Sequence, residues 1–204
     1  IDERRANPGN DFLSTLILAE DQGSKLSNLE MCALVGAVLG AGSDTAVDLH
    51  SYLIKNLLQH PEEFESLKSD PGLVQGAISE TLRYESSGKT GLARYASEDL
   101  EINGNHVKKG QMVQLITSTA GMDSSIYNDP RKFNIQRDHD KSISFGQGPH
   151  YCIGVTLVRS QTEVMLKELF KRFPNLSLGD EIVYDYNHHN ARRMDVMTVN
   201  TNLS

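Results

Sequence analysis

Cysteine is scarce in this chain: of 204 residues only Cys32 and Cys152 are cysteines, and they lie far apart. That excludes a metal-finger framework and a closely spaced redox pair. One disulfide would exhaust the supply, and nothing else points to secretion. A basic excess is also missing. Lys and Arg number 20 against 27 Asp and Glu, a formal net charge of -7. A phosphate-binding surface needs the opposite balance, so no nucleic-acid partner is expected. Long apolar runs are absent as well. The longest, about Met31 to Gly42, falls short of the ~20 residues that span a bilayer. The opening residues Ile1-Asp2-Glu3-Arg4-Arg5 are charged and do not form a signal peptide. The expectation is a cytoplasmic protein with no membrane segment. The first residue is not Met, which points to processing or to a longer parent protein.

The chain is long enough for one domain with a sizeable core. Apolar residues at Phe12, Leu13, Leu16 and Ile17 repeat with helical spacing. Ser27 and Glu30 form a capping box, in which each side chain satisfies an amide at the start of the helix. A long helix should follow, to about Gln59, ended by Pro61. Gly36, Gly40 and Gly42 interrupt its middle, each costing ~1 kcal/mol relative to Ala. They suggest close approach by another body or a local distortion. Cys32, in the apolar run, is expected to be a small buried hydrophobe. A short helix over Pro61 to Lys68 and another from Asp70-Pro71 to about Tyr84 come next, the latter with Asp70 as N-cap and Pro71 first in the helix. Leu100 and Ile102 alternate with polar residues before Asn103-Gly104, a hairpin turn signal. Met112 to Ile116 reads as a strand, Met122 to Asp140 as loop and Ile153 to Phe173 as a second long helix. Glu181 to Val199 reads as a hairpin. The fold class is mainly α with a small segregated β region.

The most informative segment is Phe145-Gly146-Gln147-Gly148-Pro149-His150-Tyr151-Cys152-Ile153-Gly154. Its glycines permit positive φ, and the loop delivers a cysteine just before a helix, where backbone amides favour anionic sulfur. A thiolate there can serve as nucleophile, redox thiol or metal ligand; a buried structural cysteine is the bland alternative. Gly154 removes a side chain where something flat could approach.

This decapeptide resembles the cysteine-ligand loop of the cytochrome P450 family at Phe145, Gly148, His150, Cys152 and Gly154. The resemblance implies the C-terminal half of the cytochrome P450 fold over residues 1–204, with haem b as cofactor and Cys152 as axial thiolate. Such ligation pushes electron density onto the iron and favours O–O cleavage. Phe145 and Gly146 would lie near the sulfur, and His150 would face a haem propionate. Glu80 and Arg83, three apart on one helix face, would otherwise pass for a surface ion pair. They resemble the family's Glu-x-x-Arg element, and Arg137 its third member, a structural network behind the haem loop. Ala41-Gly42-Ser43-Asp44-Thr45 looks like the oxygen-activation element. Ala41 and Gly42 would open room over the iron, Thr45 would hold the dioxygen hydrogen-bond network and Asp44 would relay protons. Arg94 resembles the family arginine that pairs with a propionate bidentately. Thr90, Gly91, His189 and Asn190 would line the substrate pocket.

The resemblance implies a monooxygenase acting on a small organic substrate. Electrons would come from a ferredoxin-type partner, since no flavin-binding segment is present; Arg159 could help dock it, although a solvated helix face is the expected role for any one such basic residue. The family's first helices have no counterpart here, so a parent chain about twice as long is expected. Tyr84-Glu85-Ser86-Ser87-Gly88 lacks the proline usual at that place, which bears on local pocket shape. A peroxide-driven peroxygenase is disfavoured by Asp44-Thr45, because that branch carries Arg-Pro there. A non-catalytic haem-binding or interaction module is disfavoured by the intact motifs.

Overall fold

A computed structural model describes residues 1–19, 25–88, 91–187 and 191–201. The chain forms two compact units, Ile1–Ala46 and Val47–Ser204.

The first unit holds α1 (Asp2–Ala6), α2 (Phe12–Leu18) and the opening turns of α3 (Asn28–Gln59). Asp11 caps α2 by accepting from the Ser14 amide at 2.8 Å, and it pairs with Arg4 at 2.7 Å. The capping box at the head of α3 is formed: Glu30 accepts from the Ser27 amide and hydroxyl, and the Ser27 hydroxyl accepts from the Glu30 amide. The helix runs unbroken through Gly36, Gly40 and Gly42, so the distortion anticipated there is absent. Among the described residues nothing lies within 4 Å of a Cβ built at any of the three. Cys32 is exposed rather than buried, because no described residue covers its face of the helix.

The second unit carries the core. Leu49, Leu53 and Leu57 from the C-terminal half of α3 pack with Phe64 and Leu67 of α4 (Pro61–Ser69), Ala77 and Ile78 of α5 (Val74–Tyr84), and Leu166 of α7 (Val155–Arg172). Asp70 accepts from the Gly72 amide and Pro71 opens a single 3₁₀ turn, after which α5 begins at Val74. A Cβ on Gly76 would lie 2.0 Å from the Ile135 carbonyl oxygen, so this glycine lets α5 touch the 133–135 backbone. The β structure consists of three antiparallel ribbons: β1 (Leu92–Tyr95) with β4 (Met112–Leu115), β2 (Leu100–Ile102) with β3 (Asn105–Val107), and β5 (Ser177–Asp185) with β6 (Arg193–Asn200). Asn103 and Gly104 both have positive φ, as the tight turn between β2 and β3 requires. The short helix α6 (Thr117–Ala120) and strand β1 have no counterpart in the sequence reading.

By length and composition α3 is long and apolar enough to cross a membrane. The apolar window that meets this test is largely exposed, while the C-terminal half of the helix packs into the core, with Leu53 and Leu57 fully covered.

Candidate functional site

Cys152 sits three residues ahead of α7, which starts at Val155 and not at Ile153; Ile153 itself is 95% exposed. Backbone hydrogen bonds fix the loop. The Cys152 amide donates to the Phe145 carbonyl at 3.0 Å, the Gly146 amide to Ile143 at 2.9 Å and the Tyr151 amide to Gly148 at 3.0 Å. Gly146 and Gly148 have φ of 75° and 71°, a region that disfavours other residues. The result is an exposed thiol held by a tightly bonded loop. A Cβ on Gly154 would stand 3.8 Å from the Cys152 Sγ, an ordinary contact distance. Phe145 is half-buried and carries the Arg159 guanidinium 5.6 Å from its ring centre. That contact places Arg159 against the loop instead of on a freely solvated face. His150 ends an exposed 3₁₀ turn over Gly148–His150.

Upstream of the loop in sequence lies a buried ionic network. Arg83 is 2% exposed and Glu80 fully buried. Their contact is bidentate: Nε donates to Oε2 at 2.6 Å and Nη2 to Oε1 at 2.7 Å. Arg83 also donates to the carbonyls of Gly121, Pro130 and Lys132. Glu80 accepts further bonds from the Asn134 amide at 2.9 Å and Arg137 Nε at 3.3 Å. Arg137 in turn holds the Asn128, Asp129 and Lys132 carbonyls. The three charged residues therefore tie the irregular 121–137 stretch to α5, directly upstream of the cysteine loop. His139 lies 3.7 Å from Glu80 Oε2 and escaped the sequence reading. A lone histidine between two aspartates carries no pattern. Burial lowers its pKa, and Glu80 opposes that shift only in part.

Asp44 and Thr45 are exposed, on the portion of α3 that belongs to the first unit. Thr45 Oγ1 donates to the Ala41 carbonyl at 2.6 Å, which directs its one hydrogen along the helix and leaves the oxygen able to accept. Arg94 is on exposed strand β1, with Nη1 donating to the Ala93 carbonyl at 2.8 Å. Gly91, with φ of 70°, precedes that strand, and a Cβ there would meet the Leu115 carbonyl oxygen at 2.0 Å. Thr90, His189 and Asn190 lie outside the described residues. Among the described residues no group of three or more His, Cys, Asp or Glu side chains converges as a metal cage.

The family model described as "Cytochrome P450" matches residues 72–184. The chain is 40% identical over 200 residues to the epothilone C/D epoxidase of Sorangium cellulosum, covering 98% of this chain and 48% of that protein. It is 36% identical over 188 residues to the 6-deoxyerythronolide B hydroxylase of Saccharopolyspora erythraea, covering 90% and 46% respectively. Among solved structures, epothilone D-bound cytochrome P450epoK superposes with a TM-score of 0.93 at 41% identity, over all of this chain and 50% of the other. CYP109E1 from Bacillus megaterium in complex with testosterone gives 0.92 at 30% identity, over 99% and 56%. The chain thus spans about half the length of the curated relatives it matches.

Proposed function

Because this chain belongs to the cytochrome P450 family, we propose that it forms the haem-binding part of a haem-thiolate monooxygenase whose axial ligand is Cys152. The observation that carries this reading is the exposed Cys152 thiol on a loop locked by two left-handed glycines. The donor set fits a haem. The loop presents one accessible sulfur, the donor that a haem iron takes from a cysteine. When bound, the haem supplies the redox chemistry that splits dioxygen.

The protein's own residues do the rest. Cys152 donates the thiolate. Arg94 and His150 would hold the haem propionates. Phe145 shields the sulfur, and Ala41 and Gly42 leave space on the helix face. Thr45 Oγ1 accepts a hydrogen bond from the oxygen-activating network while its hydrogen stays on Ala41, and Asp44 delivers protons. Dioxygen, two electrons and two protons become one oxygen atom in the substrate and one water. Glu80, Arg83 and Arg137 keep the cysteine loop in place. Thr90, Gly91, His189 and Asn190 line the substrate pocket. The substrate is a small organic molecule, and the names of the two relatives above favour natural products of that kind.

Electrons come from a ferredoxin-type protein docking near the cysteine loop. A cytoplasmic location is part of this proposal. The test is reconstitution of the longest native form with a reduced ferredoxin. Oxygen uptake that follows reduced ferredoxin and substrate supports the reading. Turnover with peroxide alone, unresponsive to ferredoxin, would overturn it in favour of a peroxygenase.

A further inference from the structure

A second buried ionic cluster lies away from the cysteine loop and from the Glu80 network. Lys55, on the buried half of α3, is 5% exposed. A lysine so deep in a helix interior is costly unless its charge is matched. Its Nζ pairs with Glu85 Oε2 and bonds the Tyr184 hydroxyl at 3.2 Å. Glu85, at the C-terminal end of α5, receives Arg192 on its other oxygen. One carboxylate therefore bridges two cations from different parts of the chain. Arg192 is held from three more directions. Its Nε donates to the Tyr52 hydroxyl at 3.0 Å, that hydroxyl donates to the Arg192 carbonyl at 2.9 Å, and the Arg192 amide donates to Ser87 O at 2.7 Å. Gly88 and Ala191 form an isolated antiparallel bridge beside these contacts.

The geometry joins two segments that are distant in sequence. One, Glu85 to Gly88, leads within two residues to Thr90; the other, Ala191 and Arg192, follows directly on His189 and Asn190. We propose that Lys55, Glu85, Arg192 and Tyr52 form a clasp that fixes these two segments against α3 and so sets the width of the substrate pocket. They are positioning residues, and the proposal rests on the pocket reading given above.

The test uses the longest native form, its Glu85→Gln and Tyr52→Phe variants, and two haem-ligating probes, imidazole and clotrimazole. The small azole reads access to the iron; the bulky one reads pocket width. Both are followed by the Soret shift on titration, with the reduced carbon-monoxide spectrum as a check on the thiolate. A working clasp predicts that clotrimazole affinity changes about tenfold or more in Glu85→Gln, in the same direction in Tyr52→Phe, with imidazole affinity and the carbon-monoxide band unchanged. Wild-type affinity for both azoles in both variants overturns the proposal. An equal loss for both azoles also overturns it, because the cluster would then act on haem seating. If Glu85→Gln does not fold, Tyr52→Phe decides alone, since it removes one hydroxyl and no charge. Failure of the wild type to bind either azole or to give a thiolate spectrum would instead sink the reading of the site, and the clasp with it.

Discussion

Glu80 has no exposed surface and accepts hydrogen bonds from Arg83, Arg137 and the Asn134 amide. Removing one member leaves charge buried without its partner, which costs about 3–5 kcal/mol. Arg83→Lys keeps the charge but not the fork that reaches Glu80, Gly121, Pro130 and Lys132 together. It is expected to lower unfolding free energy by several kcal/mol in denaturant titration and to weaken haem retention; a loss below ~1 kcal/mol would mean the pair behaves as a surface contact. That burial was not readable from the sequence, because a Glu and an Arg three apart look the same on an exposed helix. The cysteine loop was readable because its constraint is local: glycines, a proline and a cysteine at fixed spacing specify a turn and what it presents. Two half-buried histidines give a pH dependence. Burial lowers the pKa of His139, against the partial pull of Glu80, and also lowers that of His50. The Thr162 hydroxyl donates to the Val158 carbonyl, so His50 Nε2, 2.9 Å away, donates to Thr162 as a neutral ring. The native state then binds fewer protons than the unfolded chain. This stability is fully present above the ordinary histidine value of 6.5 and is lost as pH falls through the lowered ones. Unfolding free energy should fall on acidification below ~6.5, with a shallower slope in His50→Gln/His139→Gln. An unaltered slope in the double variant would contradict this.

At the scale of elements, the sharpest constraint is the crossing of α5 with the 133–135 backbone at Gly76. A methyl group there meets a carbonyl oxygen at 2.0 Å, and a backbone atom cannot rotate away as a side chain can. Gly76→Ala is expected to cost about 1–3 kcal/mol or more by overpacking, read as a lower thermal midpoint, whereas Gly104→Ala strains only an exposed turn and should cost less. Equal effects would contradict the close crossing. Elements with self-contained signals were legible: the Ser27–Glu30 box, the Asp70-Pro71 start and the Asn103-Gly104 turn all occur where their chemistry dictates. Strand β1 was not, because all four of its residues are exposed and it shows no inward and outward alternation. Its existence depends on pairing with β4, a partner the local sequence does not reveal. Of the two readings offered for the α3 glycines, local distortion does not hold, since the helix runs unbroken through them; close approach by another body belongs to the proposed function.

For the whole molecule, the chain spans about half the length of relatives such as the epothilone C/D epoxidase. It nevertheless carries a continuous core in Val47–Ser204, a bonded cysteine loop and the ionic network upstream of it. Fold class and the backbone geometry of the loop were therefore readable from these residues alone. The pocket was not, since Thr90, His189 and Asn190 lie outside the described residues and substrate shape depends on long-range neighbours that no motif encodes. The proposed function rests on the assignment of Cys152 as the iron's thiolate. The direct measurement is the carbon-monoxide difference spectrum of the reduced, haem-loaded protein in its longest native form, with Cys152→Ser beside it. The expected result is the strongly red-shifted Soret band of thiolate ligation in the wild type and its loss in the variant. The same red-shifted band in Cys152→Ser, or no haem signal in the wild type, would contradict the assignment of Cys152 as the axial ligand.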